Sequence, residues 1–259
     1  MKLTFTGIEN IPMVEPGDDL AGQIVTGLAT MGETLQDNDV LVIAQKIISK
    51  AEGRYLDLRT VEPSAEAIRL GAEVDKDPRK VQAILDESNE VVRKRPGVLI
   101  VEQKQGFVQA NAGIDQSNIP AGDGGPDDLC LLLPVDADAS AEQLREALYD
   151  RTGARVGVII NDSLGRAWRI GTLGLAIGVA GFTALEDHIG GNDIYGRELV
   201  VTQVAAADEM SAGASLVMGQ TTEKTPVVLV RGYQPQEPDD PAQRGVKPLI
   251  RPKEMDMFR

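Results

Sequence analysis

The sequence predicts a mixed α/β (α+β) fold, and two patterns carry that prediction. Short apolar runs rich in β-branched residues recur at 40–44, 98–101, 129–133, 156–160 and 227–230, as in strands buried on both faces. Between these runs, apolar residues repeat at helical spacing. The 259-residue chain is 42% hydrophobic and only 3% aromatic, so Val, Ile, Leu and Ala must fill its core. The predicted strands and helices do not alternate regularly as in βαβ units, so the sequence does not predict the topology of the sheet.

The N-terminal elements are predicted from local signals. Residues 1–6 alternate as in a strand, and a helix begins near Asp19, because apolar residues follow at 20, 24 and 28. Asp77 followed by Pro78 has the pattern of an N-cap with proline at the first helical position. The helix predicted there places six residues on one face: Val81, Ile84, Leu85, Ser88, Val91 and Val92.

Two further helices are predicted in the C-terminal half. Ser140 with Gln143 forms a capping-box pattern, which predicts a helix that opens there and buries Leu144 and Leu148. The stretch 204–218 is rich in alanine and is predicted to be helical up to the glycine that follows it.

Two segments carry no hydrophobic period. The run Ala-Gly-Asp-Gly-Gly-Pro-Asp-Asp at 121–128 predicts an exposed loop. Residues 233–259 contain five prolines and predict an extended or partly disordered C-terminal arm, suited to wrapping a partner subunit. Residues 1–232 would then form the main unit.

Charge and composition exclude several classes of function. The net charge of −14 repels polyanions, so nucleic-acid binding is not expected, and anionic substrates would need a local cluster of cations or a metal. No apolar stretch is long enough to span a bilayer and no signal peptide is evident, which predicts a cytoplasmic protein without a membrane partner. The single cysteine, Cys130, lies in an apolar run and is predicted to be buried.

Familiar motifs for nucleotides and metals are missing. The sequence has neither a Gly-x-x-x-x-Gly-Lys-Ser/Thr loop nor a Gly-x-Gly-x-x-Gly fingerprint after a strand. One histidine, His188, and one cysteine cannot build a His-rich or zinc-cluster site.

Three polar, glycine-bearing stretches remain as candidates for chemistry: 110–118, 161–169 and 218–223. Their carboxylates, amides and hydroxyls follow predicted strands or a helix, and such oxygens suit a hard divalent cation. A plain turn with a helix cap is the alternative for 161–169. Against it, Arg166 and Arg169 supply cations for phosphate oxygens. Trp168 between them could be a core residue or a wall for ring stacking.

A basic period follows the first apolar run. Lys46, Lys50 and Arg54 recur four residues apart. Two interpretations stay open: a solvated basic helix face, or a phosphate cradle that faces a metal.

Taken together, these stretches resemble the F420-0:γ-glutamyl ligase family, which comprises the archaeal CofE proteins and the N-terminal half of the mycobacterial FbiB proteins. The matching motifs run in order along the chain. They are Gly-Asp-Asp-Leu (17–20), Gln-Lys-Ile-Ile-Ser-Lys-Ala-Glu-Gly-Arg (45–54), Asn-Ala-Gly-Ile-Asp-x-Ser-Asn (111–118), Leu-Leu-Leu-Pro (131–134), Asp-Ser-x-Gly-Arg-x-Trp-Arg (162–169), Ala-Ile-Gly (176–178), Ala-Asp-Glu (207–209), Met-Gly-Gln (218–220) and Val-Arg-Gly (230–232). Each is short, and their order makes the resemblance specific.

The resemblance implies a GTP-dependent ligase that adds one or more γ-linked L-glutamates to coenzyme F420-0, or to its dehydro form, through an acyl phosphate. It implies two divalent ions, Mg²⁺ or Mn²⁺, and sometimes K⁺. It also implies a two-lobed fold with mixed sheets over residues 1–232 and an intertwined homodimer. Two alternatives stay open: a related metal-dependent amide ligase for another phosphorylated carboxylate, and a non-catalytic nucleotide-binding homologue.

The resemblance also assigns residues. Asp115, Asp162, Ser163 and Gln220 match metal ligands, although archaeal members carry Glu where this chain has Gln220. Lys46 and Lys50 are expected to neutralise phosphate, and Arg166 and Arg169 to hold a substrate carboxylate or phosphodiester. The GTP contacts implied are Ile11, Pro12, Met13, Val14, Gln45, Lys46, Lys50, Asn118, Met218, Gly219, Gln220, Thr221, Thr222 and Glu223.

Overall fold

A five-stranded sheet forms the centre of the fold in the computed structural model, which describes residues 2–122, 125, 127–236 and 240–258. The elements of its first half are β1 (Thr4–Gly7), α1 (Leu20–Thr30), β2 (Val40–Ala44), α2 (Gln45–Ala51), β3 (Tyr55–Asp57), α3 (Ala65–Val74), α4 (Pro78–Asp86), β4 (Ser88–Arg95), β5 (Val98–Gln103) and β6 (Val108–Ala110). Those of the second half are β7 (Leu129–Leu131), α5 (Ala137–Thr152), β8 (Gly157–Gly165), β9 (Thr172–Ala180), β10 (Glu186–Asp187), β11 (Gln203–Val204), α6 (Ala206–Met218) and β12 (Val227–Arg231).

The strand order of the central sheet is β1-β12-β2-β8-β9. Only β2 and β8 run parallel, and the other neighbours are antiparallel. The predicted apolar runs at 40–44, 156–160 and 227–230 supply its three inner strands, which are almost wholly buried. Helix α6 contacts all five strands, whereas α5 packs on β8, β9 and α1. The predicted mixed α/β class is therefore confirmed.

A second, smaller hydrophobic core lies between residues 58 and 130 of the chain. The three-stranded sheet β4-β5-β6, the pair β3-β7 and helices α3 and α4 surround it. Cys130 is buried there as a free thiol, as the sequence predicts. The two cores meet where β8 approaches β6 and α2 approaches β7.

Two predicted helix boundaries are wrong. Helix α4 begins as predicted, with the Asp77 carboxylate accepting from the Arg79 amide, but it ends at Asp86. Ser88, Val91 and Val92 belong instead to strand β4. Irregularities in the β4–β5 register, between Ser88 and Glu90 and between Val91 and Arg93, break the strand alternation, so its apolar residues imitate helical spacing.

The predicted start of helix α5 at Ser140 is also wrong. Asp136 is the N-cap, and its carboxylate accepts from the Ala139 amide at 2.9 Å. Ser140 lies inside the first turn, where its hydroxyl donates to the Asp136 carbonyl. The other helices begin and end near the predicted residues, with Asp19 as N-cap of α1 and Gly219 as C-cap of α6.

Two half-buried carboxylates accept hydrogen bonds from the free edge of β9. Asp138, in the first turn of α5, accepts from the Val179 amide at 2.8 Å. Asp208, in the first turn of α6, accepts from the Ala176 amide at 2.9 Å. Burial raises the pKa of both carboxyls. These bonds occupy edge amides that would otherwise lack partners, and they fix the β8–β9 hairpin against both helices.

The described part of the C-terminal segment packs on its own chain. It contains single 3-10 turns at Pro241–Gln243, Lys247–Leu249 and Lys253–Met255. The amide of Val246 donates to Asp138, and Val246 itself is buried in the larger core. Near the end, Lys253 pairs with Glu90 of β4. Wrapping of a partner subunit by this segment stays a prediction.

The sequence also predicts an exposed loop at 121–128 and no membrane-spanning segment. The predicted loop at 121–128 lies partly outside the described residues, and within it the Gly125 amide donates to the Gly122 carbonyl at 3.0 Å. No helix in the described ranges is long and apolar enough to cross a membrane. The cytoplasmic location itself stays a prediction.

Candidate functional site

A cavity of about 740 Å³ opens at the meeting point of the two cores. It is lined by residues 11–15, 44–47, 50, 115, 117–120, 161–163 and 218–226. These segments include every residue that the sequence assigned to metal or nucleotide, although those assignments came from five separate parts of the chain. A volume of this size is typical of small-molecule and cofactor sites.

Helix α2 brings two lysines to this cavity directly after the buried strand β2. Lys46 Nζ lies 2.7 Å from Asp115 Oδ2 and donates to Ser117 Oγ at 2.9 Å. Lys50, only 6% exposed, donates to the Asn118 carbonyl at 2.7 Å. Burial, and then the charge of Lys46, lowers the pKa of Lys50. The interpretation of a solvated basic face is therefore wrong for these two lysines.

The third member of that basic period serves another purpose. Arg54 donates through Nε to the Leu133 carbonyl at 2.8 Å and pairs with Glu87. It lies outside the lining of the cavity and ties the chain after α2 to the smaller core.

The loop that carries Asp115 begins with a left-handed turn. Asn111, Ala112 and Gly113 have φ values of 55°, 54° and 72° in succession, and Asn118 has a φ of 55°. A side chain at Gly113 would also place Cβ 2.7 Å from Leu133 Cδ1. Gly and Asn adopt left-handed conformations readily, but at Ala112 such a conformation is unfavourable and persists only where the surroundings enforce it.

Asp115 is held firmly at the end of this loop. Its backbone pairs with Leu131 through bonds in both directions, at 3.1 and 2.8 Å. Its Oδ1 accepts from the amides of Gln116 and Ser117 at 2.7 and 2.8 Å. Burial would raise the pKa of Asp115, but the bonds from Lys46 and Ser117 outweigh it and hold the pKa below its usual value.

Asp162, in the second half of β8, has the opposite electrostatic environment. Burial raises the pKa of its carboxyl from 3.8 to about 6. The Ser163 amide, which donates to Asp162 Oδ1 at 2.8 Å, only partly offsets this effect. The charge of Asp115 raises the pKa further. The two carboxylates face one cavity, and the negative charge of Asp162 is poorly compensated there.

A tight turn after α6 completes the same wall. Ser163 Oγ donates to Gln220 Oε1 at 2.9 Å. Gly219 has a φ of +71°, and a Cβ there would lie 2.2 Å from Glu223 Cδ, so only glycine fits. Glu223 in turn accepts from the Thr221 amide at 2.8 Å. The turn therefore places the Gln220 amide oxygen beside the hydroxyl that follows Asp162.

These oxygens fit a hard divalent cation. The donors are two carboxylates, a hydroxyl and an amide oxygen, which is the chemistry that Mg²⁺ and Mn²⁺ prefer. Across the described residues, no three His, Cys, Asp or Glu side chains converge. Neutral oxygens or substrate phosphates would therefore have to complete the coordination. The raised pKa of Asp162 fits the same role, because a cation would supply the charge compensation that the protein does not.

The structure does not bring Arg166 and Arg169 into the lining of the cavity. They lie at the tip of the β8–β9 hairpin, where Arg166 Nη1 donates to the Gly171 carbonyl at 2.9 Å. Trp168 between them is 86% exposed, with a φ of 63°, and meets the Phe258 ring edge-on at 5.9 Å. Trp168 is not a core residue, and the roles predicted for the two arginines stay predictions.

Several lining residues were not singled out from the sequence. Ser117 fixes Lys46, and Asn161 lies between the cavity and helix α6. Both stand inside motifs that were already noted, but spacing gave no sign of their direction. Ile119 and Pro120 add an apolar wall that no periodicity indicated.

Comparisons with known proteins identify the family of the chain. A family model described as F420-0:Gamma-glutamyl ligase matches residues 8–232. The coenzyme F420:L-glutamate ligase of Methanothermobacter thermautotrophicus is 45% identical over 259 residues, 100% of both chains. That of Methanocaldococcus jannaschii is 46% identical over 259 residues, 100% of this chain and 97% of its own. That of Haloarcula marismortui is 40% identical over 258 residues, 97% and 94% of the two chains. The chain belongs to the F420-0:γ-glutamyl ligase family.

Proposed function

We propose that this chain is a GTP-dependent ligase that attaches L-glutamate, once or more and by γ-linkage, to coenzyme F420-0 or its dehydro form in coenzyme F420 biosynthesis. Membership of the family and the names of its relatives support the ligase activity and the two joined substrates. The nucleotide and the metal are supported by the chemistry of the cavity.

The observation that carries the proposal is the meeting of two lysines and two aspartates at one cavity. The chain as a whole has a net charge of −14 and repels anions. Lys46 and Lys50 bring two cations to the lining of the cavity, and both reach the loop that carries Asp115. A cavity of about 740 Å³ with these cations suits a polyphosphate together with a small carboxylate.

The proposed reaction needs an activated carboxylate, because oxide is too poor a leaving group for amide formation. A carboxylate oxygen of the deazaflavin precursor attacks the γ-phosphorus of GTP, and the bond to the bridging oxygen breaks to release GDP. The glutamate amine then attacks the carbonyl carbon of the acyl phosphate. Phosphate leaves with the electrons of the carbon–oxygen bond, and the amine loses a proton. Such chemistry depends on positioning and charge neutralisation more than on covalent catalysis.

Each group in the cavity has a task in this scheme. Lys46 and Lys50 neutralise phosphate oxygens, and the burial of Lys50 strengthens its attraction for them. Asp115, Asp162 and Ser163, with the Gln220 oxygen, would hold Mg²⁺ or Mn²⁺. When bound, such a cation neutralises and orients the phosphate oxygens. The donors come from the loop at 111–118 and from β8 with the turn after α6, which is compatible with two ions. No residue is assigned to K⁺.

We propose that Arg166 and Arg169 hold a carboxylate or phosphodiester of the deazaflavin precursor. Their guanidinium groups project at the hairpin tip that continues from the cavity-lining residues Asp162 and Ser163. Planar guanidinium groups bind such anions through paired hydrogen bonds. Trp168 beside them is exposed and has a left-handed backbone conformation, and its indole offers a face for the deazaflavin ring of the precursor.

We also propose that a second copy of the chain completes the assembly. Residues 186–204 form a hairpin-like arm whose strands are joined by backbone bonds, such as His188 to Thr202 and Gly190 to Leu199. Five large apolar side chains on this arm are half to almost fully exposed: Ile189, Ile194, Tyr195, Val200 and Val201. Apolar surface of this extent in a charged protein indicates a contact surface.

The ligase activity is tested by incubating the purified protein with GTP, Mn²⁺, L-glutamate and F420-0. We expect mass spectrometry to find the deazaflavin heavier by one or more glutamyl units, with GDP formed in step. The Asp162→Asn variant should lose both products by roughly a hundredfold or more, because it removes a charged metal ligand. The exposed Asp150→Asn variant should keep wild-type activity.

Other outcomes of that assay separate the alternatives. GDP formed only with a different phosphorylated carboxylate would favour a related amide ligase. Nucleotide binding without turnover on any acceptor, by folded protein, would favour a non-catalytic homologue. Intact GTP with no nucleotide bound would contradict the proposal altogether.

The same Asp162→Asn variant is expected to stabilise the metal-free protein at neutral pH. Burial raises the pKa of Asp162 from 3.8 to about 6, so the folded state disfavours the charged form. Relative to the variant, the wild type should lose stability as the pH rises from 3.8 to about 6, and then stay lower by up to about 3 kcal/mol. Urea unfolding from pH 3.5 to 8 measures the difference.

Added Mn²⁺ should reverse that order, because it stabilises a wild-type site that the variant lacks. If the variant is less stable than the wild type at pH 7.5 without metal, the carboxylate is not strained by desolvation and the argument from burial is wrong.

Sedimentation equilibrium tests the proposed assembly. We expect a species of about twice the 27.7 kDa chain mass. A charge buried at the contact should weaken it, so Val201→Glu should shift the equilibrium towards monomer by at least tenfold in dissociation constant. Ile68→Glu, on helix α3 of the smaller core, serves as the control. A wild-type monomer at micromolar concentrations would contradict the proposal.

A further inference from the structure

Asn161 is a buried amide in the wall of the cavity. It precedes Asp162 on β8, is 4% exposed and belongs to the lining. The β8–β9 register shifts between Ile160 and Asn161, which places this side chain at a local irregularity of the sheet. Such irregularities often redirect a side chain next to a functional site.

The polar atoms of this amide are poorly satisfied by the protein. Its Nδ2 carries two hydrogens, and the partner given by the structure is Met218 Sδ at 3.6 Å. A thioether is a weak acceptor. Within the described part of the chain, Oδ1 is buried without a hydrogen-bond partner. A buried amide in this condition is unfavourable for folding, and an apolar side chain of similar size would serve the core better.

The two ends of the amide face different surroundings. Met218, beside Nδ2, lines the cavity, whereas Gly174 and Ser211 do not. Oδ1 points towards the latter pair, since a Cβ built on Gly174 would lie 2.4 Å from Asn161 Oδ1 and 2.4 Å from the Ser211 carbonyl oxygen. The amino end, with a hydrogen to spare, is therefore the end at the cavity.

We infer that Asn161 contacts substrate: its Nδ2 donates a hydrogen bond to an anionic oxygen of a ligand bound in the cavity. The oxygen belongs to a nucleotide phosphate or to the carboxylate of glutamate, and it takes precedence over the Met218 thioether because a charged oxygen is a far stronger acceptor. This inference rests on the proposed function. Lys46 and Lys50 supply charge, and Asn161, which pairs with Ala44 just before their helix, adds a neutral donor of fixed direction.

The test uses Asn161→Leu, which keeps the branched shape and the number of side-chain heavy atoms and removes the amide. Calorimetry would measure binding of GDP with Mg²⁺ and, separately, of L-glutamate. We expect the dissociation constant of one of the two to rise roughly tenfold to hundredfold, which identifies the source of the oxygen. The unfolding temperature of the ligand-free variant should stay equal or rise, whereas loss of a structural hydrogen bond would lower it.

Ser211→Ala is the matched control, because it removes a neighbouring buried and unsatisfied hydroxyl that does not line the cavity. It should leave both affinities unchanged. If Asn161→Leu fails to fold, the isosteric Asn161→Asp replaces it and should weaken binding still more, since it opposes an anion with a negative charge.

Wild-type affinities for both ligands in a folded Asn161 variant would overturn the inference alone. Absence of GDP and glutamate binding by the wild type would overturn the proposed function, and this inference with it.

Discussion

The bond between Lys46 and Asp115, 2.7 Å long, joins the two hydrophobic cores at the point where the cavity forms. Lys46 belongs to the helix after the central strand β2, and Asp115 belongs to the loop of the smaller core. Lys50 makes a second link to the same loop through the Asn118 carbonyl. In a chain of net charge −14, these cations both hold the cores in register and prepare a place for anions. A ligand whose phosphate oxygens bind Lys46 must compete with Asp115 for that lysine, or the negative charge of Asp115 must be compensated in another way.

The site contains several features that are unfavourable for the stability of the fold. Asp162 is desolvated with little compensation, the turn at Asn111–Gly113 is left-handed, and the amide of Asn161 is poorly satisfied. Proteins tolerate such features where ligand binding is favourable enough to offset their cost in stability. The rest of the fold must then hold them in place. Here the two half-buried carboxylates at the edge of β9 contribute, because they fix the hairpin whose other strand carries Asp162.

Continuous apolar runs rich in β-branched residues were sufficient to predict the inner strands, because these strands are buried on both faces whatever the topology. Local capping signals were less reliable. Helix α5 begins after Asp136 and not at Ser140, because the Asp136 carboxylate caps its first turn. Asp138 then bonds β9, and this is a tertiary contact that a capping pattern in the sequence does not contain. The strand at Ser88–Arg95 was mistaken for helix, since its irregular register disturbs the alternation of apolar residues.

The candidate site was predictable as a set of residues and less so as a geometry. Ordered motifs indicated which side chains belong together, and all those assigned to metal or nucleotide line one cavity. The burial of Lys50 depends on how the two cores meet, and the direction of Asn161 depends on the packing of β8 against α6. The exposure of Trp168 depends on the position of the hairpin tip. Spacing along the chain carries no information about any of these. Arg166 and Arg169 show the same limit, because their motif is continuous with Asp162 while the hairpin carries them away from the lining.

A crystal structure with Mn²⁺ and a non-hydrolysable GTP analogue would test the central claim most directly, through the anomalous signal of the metal. We predict manganese within about 2.0–2.6 Å of carboxylate oxygens of Asp162 or Asp115, the range for hard cations on oxygen. The phosphates should contact Lys46 and Lys50. Manganese bound only by carboxylates outside the cavity, or a nucleotide seated away from both lysines, would contradict the assignment of this cavity as the ligase site.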